Sequence, residues 1–211
     1  MVSQSSAAES SEFGTPECLQ RSSHSAWFTK PLCCRYVLAE FKTLALPVQR
    51  DGVVEQPRWR WALGLFKGDQ YELLGAWSAQ VPALSVAQEL HDRGIEHIKA
   101  ISAEDGVDCT STYPDAVAWS ASGDAHAAST FGPRRRAALQ SAAATAERLQ
   151  ASLSRAIKRQ APFADEGAAA AFLMHALENA DRQLHGLPKL RFKTALRRSG
   201  AVGALASQPA A

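Results

Sequence analysis

No stretch of this sequence approaches the ~20 consecutive apolar residues that a membrane-spanning helix requires. The N-terminus is Ser-rich and acidic up to Glu17, without the basic start and apolar run of a secretory signal. A cytoplasmic protein is therefore expected. Cysteine is scarce and badly spaced for metal binding: Cys33 and Cys34 are adjacent, Cys18 and Cys109 stand apart, and no nearby His pair completes a zinc set. Reduced, inert thiols follow. A Gly-rich phosphate loop, a Gly-x-Ser-x-Gly elbow and a His-Glu-x-x-His pair are all missing, which removes the sequence support for the enzymes built on them. The histidines (His24, His91, His97, His126, His175, His185) are scattered and read as surface or loop residues.

What the chain does contain is the balance of a globular protein, with 46% hydrophobic and 21% charged residues. Its net charge of +2 conceals an asymmetry. Residues 1–130 carry 10 basic and 16 acidic side chains, whereas residues 131–211 carry 13 basic and 5 acidic. A basic C-terminal part suits a phosphate backbone, because neutralising phosphates releases condensed counterions. It equally suits a solvated helix face.

Residues 1–35 predict a disordered leader, rich in Ser, Ala and Glu with no sustained period. Residues 36–48 read as a first strand, ending near Pro47 and followed by the turn signal Asp51-Gly52. Residues 58–66 and 71–79 read as strands joined by a short Gly-containing loop, hence as an antiparallel hairpin. Pro82 opens a helix with Ala83, Val86, Ala87 and Leu90 at helical spacing, and Gly94 closes it. Residues 95–102 alternate apolar and polar, the pattern of a fourth strand. A strand returning through a helix to the same sheet should cross over right-handed and lie parallel to a neighbour. The pattern weakens over residues 106–130. Residues 134–160 are Ala-rich and helical, with Leu139, Ala142, Ala143, Ala146, Leu149, Leu153 and Ile157 on the apolar face. A second helix begins near Asp165, with Phe172, Leu173, Ala176 and Leu177 as its core stripe. Residues 199–211 read as a frayed tail.

Three stretches, in order, resemble the catalytic core of mutator-type insertion-sequence transposases. The hairpin of residues 58–77, ending Leu74-Gly75-Ala76-Trp77, resembles the family's second and third strands. Leu90, the Arg93-Gly94 pair and then Asp105-Gly106 resemble the segment that carries the second catalytic Asp. Residues 131–158 resemble the region of the final catalytic Glu, and the likeness continues through Ala161-Pro162-Phe163 to Lys193, Ala195 and Leu196. The resemblance covers roughly residues 36–198. It implies an α/β fold: a partial ribonuclease-H-like mixed sheet (strand, strand, strand, helix, strand) over residues 36–130, followed by C-terminal helices over 131–198. It further implies an Asp, Asp, Glu triad binding Mg²⁺, in which a metal pair activates the attacking oxygen and stabilises the leaving one. On this sequence the catalytic and metal-binding residues map to Asp105 and Glu147. Read by themselves, Asp105 is a turn residue before Gly106 and Glu147 a solvated helix residue.

The chain departs from the family pattern where the chemistry is concentrated. The first Asp, ten residues before Gly52, is Lys42. A lysine brings positive charge to a site meant for two cations, so metal binding should suffer. Glu40 lies on the same strand face, displaced by ~6.6 Å; a Glu reaches farther than an Asp, so it is the one candidate to substitute, against the small misplacement that two-metal geometry tolerates. The family's Cys-x-x-His pair has only His126, and 20 residues separate His126 from Glu147 where the family has a long helical insertion. Gln150 stands at an Asn-bearing position. Residues 1–35 are expected to be too short and polar for the family's DNA-binding region. The leading expectation is a transposase of this family, acting by metal-dependent DNA cleavage and strand transfer, whose activity is lost here. The alternative is a non-enzymatic protein binding DNA through Arg134, Arg135, Arg136, Arg155, Lys158 and Arg159, as a homo-oligomer or a mixed oligomer with an intact transposase. A third possibility is a remnant without a stable fold, which would melt without a cooperative transition.

Overall fold

The period-two and period-3.6 patterns are realised in a mixed α/β architecture. The computed structural model describes residues 26–104, 109, 111–120 and 130–187. Along the chain the strands are β1 (Arg35–Tyr36), β2 (Leu38–Ala45), β3 (Val48–Arg50), β4 (Val53–Glu55), β5 (Arg58–Phe66), β6 (Gln70–Ser78), β7 (His97–Ile98), β8 (Ala100–Ala103) and β9 (Val117–Ala118). The helices are α1 (Ala83–Asp92), α2 (Pro133–Gln160) and α3 (Glu166–Leu184), and one 3-10 turn, Ala26–Thr29, precedes β1. Among the described residues no helix is long and apolar enough to cross a membrane.

The main sheet has five strands in the order β6-β5-β2-β8-β9. β5 is antiparallel to both β2 and β6, whereas β8 lies parallel to β2 and β9 parallel to β8. β2 therefore sits in the middle with both edges paired. The chain makes its meander first and then crosses through α1 to the other side of β2, as a parallel pair requires. Alternation along β2 supplies two apolar faces. Ala39 and Phe41 join Val86, Ala87 and Leu90 of α1 in one cluster. Leu38 and Leu44 point the other way, Leu38 to Leu139 and Ala142 of α2, Leu44 to Leu153 and Ile157 of α2 and to Leu173 and Leu177 of α3. On β6, Leu73 and Ala76 share the α3-side cluster although they are three residues apart. A bulge opposite Ala62 and Leu63 shifts the phase and makes this possible.

Helix boundaries follow the breakers in the sequence. Pro133 occupies the first turn of α2, where a missing N–H has no cost. Asp165 caps α3 by accepting a hydrogen bond from the Ala168 N–H. β3 and β4 form a separate antiparallel hairpin whose turn, Asp51 at φ 50° and Gly52 at φ 80°, has the left-handed pair of a type I′ connection.

Several local expectations differ from the structure. The stretch 95–102 is not one strand: β7 pairs with β1, and β8 pairs with β2. Residues 117–118 add a short fifth strand inside a segment with no legible pattern. Part of the expected leader, residues 26–35, is folded. Phe28 is buried against the α2 and α3 core. Trp27 Nε1 donates to Asp181 Oδ2 at 2.9 Å, and Lys30 Nζ lies 2.9 Å from Glu72 and 3.2 Å from Asp181. Two aromatics and a cation with buried partners outweigh a polar composition. Residues 1–25 and the 199–211 tail lie outside the described residues.

Candidate functional site: an ammonium among carboxylates

A central strand covered by a helix normally carries apolar residues on the covered face. On β2 that face reads Leu38, Glu40, Lys42, Leu44, and both polar members are buried, Glu40 to 3% exposure and Lys42 to 6%. Burying charge is tolerated only with paired, hydrogen-bonded partners. Lys42 Nζ lies 2.6 Å from Glu147 Oε1 on α2 and 2.8 Å from Glu104 Oε1 just beyond β8. Glu40 Oε1 is 3.6 Å away. Three elements thus bring three carboxylates to one ammonium.

The local fold explains each position. The parallel register pairs Glu40 with Ser102 and Phe41 with Ala103, so one further step brings Glu104 level with Lys42. Glu104 is fixed there because its second oxygen accepts from the Thr43 N–H at 3.2 Å. Glu147 is held by the docking of α2, in which Gln150 accepts from Trp61 Nε1 at 2.7 Å and donates to the Thr43 carbonyl. The side chains of Glu104 and Glu147 are 42% and 63% exposed, so the cluster opens to solvent on one side and is closed by Glu40 on the other.

Electrostatics fix the charge states. Burial opposes the charge on Lys42, but hydrogen bonds to Glu104 and Glu147 and the surrounding carboxylates outweigh it, and the ammonium is held protonated above the ordinary lysine range. For Glu104, burial is outweighed by the Lys42 hydrogen bond and the Thr43 N–H, which hold the carboxyl below its usual range. Burial pushes Glu40 up, against the lowering effects of Ser102 and Lys42. Its Oε2 is buried and has no hydrogen-bond partner among the described residues. A raised folded-state carboxyl favours the fold below its unfolded value and disfavours it once pH rises through both. Glu40→Gln should therefore raise stability at pH 7, and the gain should vanish below about pH 4, where unfolded Glu is also protonated. Urea unfolding at the two pH values measures this; a destabilised variant at pH 7 would contradict it.

Chemically, this lysine is neither a base nor a nucleophile, since its proton stays on and its donors point at carboxylates. The divalent ions that the transposase resemblance implies do not fit beside it. The ammonium already lies where the three carboxylates meet, and a divalent cation in contact with it would meet direct like-charge repulsion. Among the described residues, no group of three acidic, imidazole or thiol side chains is arranged to hold a metal ion.

Of the residues expected at the site, Glu147 is brought to Lys42, and Glu40 lies on the same face as expected. Asp105 and His126 lie outside the described residues. Glu104, the immediate neighbour of Asp105, was passed over in the sequence; only the strand register singles it out. The basic residues of α2 form two groups rather than one patch. Arg134, Arg135 and Arg136 occupy its first turn and point in directions about 100° apart. Arg155, Lys158 and Arg159 lie ~28 Å farther along; their spacing puts them on one exposed face. Arg148, also exposed and seven residues before Arg155, extends that face and was not foreseen. Among the described residues, Cys33, Cys34 and Cys109 form no disulfide.

Comparison of the chain with known protein-family models and with curated proteins gives no match.

Proposed function

We propose that this chain descends from mutator-type transposases, keeps a ribonuclease-H-like core and no longer performs the metal-dependent DNA cleavage and strand transfer of that family. The observation that carries the reading is the contact of Lys42 with Glu147. These positions, which the resemblance assigns to the first and last triad members, are 105 residues apart in sequence yet lie 2.6 Å apart in space. The sheet supports it, with three antiparallel strands, a helical crossover and then a strand parallel to the first. The position that the resemblance gives to the first Asp, Lys42, is mid-strand on the central β2, and Glu147 is on the helix packed across it. With an ammonium in place of the first carboxylate, the two-metal arrangement is lost, and with it the activation of the attacking oxygen. The test is an oligonucleotide cleavage and strand-transfer assay in Mg²⁺ or Mn²⁺. The native chain should yield no product. Turnover that disappears in Asp105→Ala or Glu147→Ala would overturn this reading.

A second reading, non-enzymatic DNA binding, needs the six basic residues on one surface and loses support where they fall into two groups; a separate observation still speaks for it. Among the described residues, none of Arg134, Arg135, Arg136, Arg155, Lys158 and Arg159 has a carboxylate within ion-pair distance. Like charges at i, i+4 cost a helix a few tenths of a kcal/mol per pair, and a phosphate backbone would offset this. Binding of a labelled duplex should weaken about 10²-fold or more between 50 and 200 mM salt if about four to six phosphates are neutralised. Arg155→Ala with Lys158→Ala and Arg159→Ala should flatten that dependence. An unchanged slope would leave these residues as a solvated helix face.

A further inference from the structure

β6 is the outer strand of the main sheet and runs nine residues; among the described residues it pairs with β5 alone, and its other edge carries no strand. The Leu73 N–H is met instead by Asp181 Oδ1 of α3 at 2.9 Å, and the Leu74 carbonyl by the guanidinium of Arg93, just after α1. Residues 26–34 hold both of those side chains in place. Trp27 Nε1 and Lys30 Nζ donate to Asp181 Oδ2 at 2.9 and 3.2 Å. The Lys30 carbonyl accepts from Arg93 Nε at 3.3 Å, and the Leu32 N–H donates to the Arg93 carbonyl at 2.8 Å. Phe28 is buried in the cluster on the α3 side of the sheet and Leu32 in the cluster on the α1 side. The segment therefore passes from one layer to the other around the edge of β6. Lys30 sits at the crossing, 2.9 Å from Glu72 of β6.

We propose that residues 26–34 are an edge guard: a strap, clasped by Lys30, that keeps β6 from pairing with β6 of a second copy of this chain. An uncovered edge accepts another strand, and a segment of chain laid over it prevents this. Among the described residues no other edge strand exceeds three residues, whereas nine residues are ample for a ladder. The partner is a second copy because like edges pair antiparallel about a two-fold axis, each strand meeting in the other the contacts it offers itself. When Trp27 and Lys30 let go, Asp181 and Arg93 lose the partners that aim them at β6. The Leu73 N–H and the Leu74 carbonyl then become available to the like strand of the other copy.

The experiment compares the native chain with Lys30→Glu and the milder Lys30→Gln, by sedimentation over a range of protein concentration and by hydrogen exchange read by mass spectrometry. Lys30→Glu sets another carboxylate beside Glu72 and Asp181. Its strap amides should exchange at least about tenfold faster than in the native chain, and its mass should climb with concentration to twice the native value. In the paired form residues 70–78 should exchange more slowly than in the dilute variant, while the hairpin of residues 48–55 should not change. A synthetic peptide of residues 26–34, added in excess, should return the variant to the native mass. A folded variant that keeps the native mass at every concentration overturns the proposal, as does doubling without slower exchange in residues 70–78. A strap that exchanges at the native rate in the folded variant overturns it too, as does concentration-dependent slowing of residues 70–78 in the native chain. If Lys30→Glu loses its helical circular dichroism, Lys30→Gln is read by the same criteria.

Discussion

Asp181→Ala should cost the fold about 3–5 kcal/mol, the loss expected when a buried charge pair is broken by removing one partner. Asp181 sits on α3 with 6% exposure. One oxygen accepts from the Leu73 N–H on β6 at 2.9 Å, and the other from Trp27 Nε1 at 2.9 Å and Lys30 Nζ at 3.2 Å. One carboxylate thus ties a helix, a strand and the segment before β1. Alanine leaves the Leu73 N–H unmatched in the core and the Trp27 indole without its acceptor, each a desolvation loss of about 1–3 kcal/mol. Lys30 keeps Glu72 at 2.9 Å, which limits the damage on that side. Urea unfolding followed by tryptophan emission measures the loss, and a change below about 1 kcal/mol would show that the contact behaves like a surface pair. Asp181→Asn keeps one acceptor oxygen, for either the Leu73 N–H or the Trp27 indole, and sets an amide donor against the other, so it should recover only part of the loss.

Lys42→Met should lose about 2–3 kcal/mol at pH 7. This lies at the lower edge of the range for a broken buried pair, because Glu104 and Glu147 reach solvent and water screens part of the repulsion left behind. The pH dependence separates this from a packing defect. The raised Lys42 value means that its contribution is fully present below about pH 10.4, the unfolded lysine value, and is lost as pH rises above it. The depressed Glu104 value means that its contribution is present above about pH 4.3 and is lost as pH falls below it. The difference between native chain and variant should therefore be level through neutral pH and shrink on both sides. A difference that stays constant from pH 3 to 11 would assign the loss to methionine packing alone.

The elements legible in the sequence are those whose cause is local. The β5–β6 hairpin follows from two β-rich runs around a Gly-containing loop, α1 from Pro82 and Gly94, and α3 from the Asp165 cap. The break between β7 and β8 was not legible, because residues 95–102 contain no Gly, Pro, Asn or Asp to divide the run. Only the pairing of Tyr36 with Ile98 and of Ala39 with Ile101 divides the run. The folding of residues 26–30 depends on Asp181, 154 positions from Trp27, and no window along the chain contains both. At the site, the inward place of Lys42 and the same-face place of Glu40 follow from strand alternation. Glu104 requires the register of a parallel pair formed across a helical crossover. It is also masked by the Asp105-Gly106 step beside it, which draws attention as a turn.

The β3–β4 hairpin has a consequence for the protein in concentrated solution. Among the described residues β4 pairs with β3 alone, and its Val53 and Val54 are 64% and 49% exposed, so an apolar strand border lies open to templated pairing with another chain. Two features blunt it. The strand is three residues long, too short for a stable intermolecular ladder. Arg50 also links Glu55 at 3.3 Å to Glu166 at 3.1 Å, placing charge at the mouth of the border as a gatekeeper against aggregation.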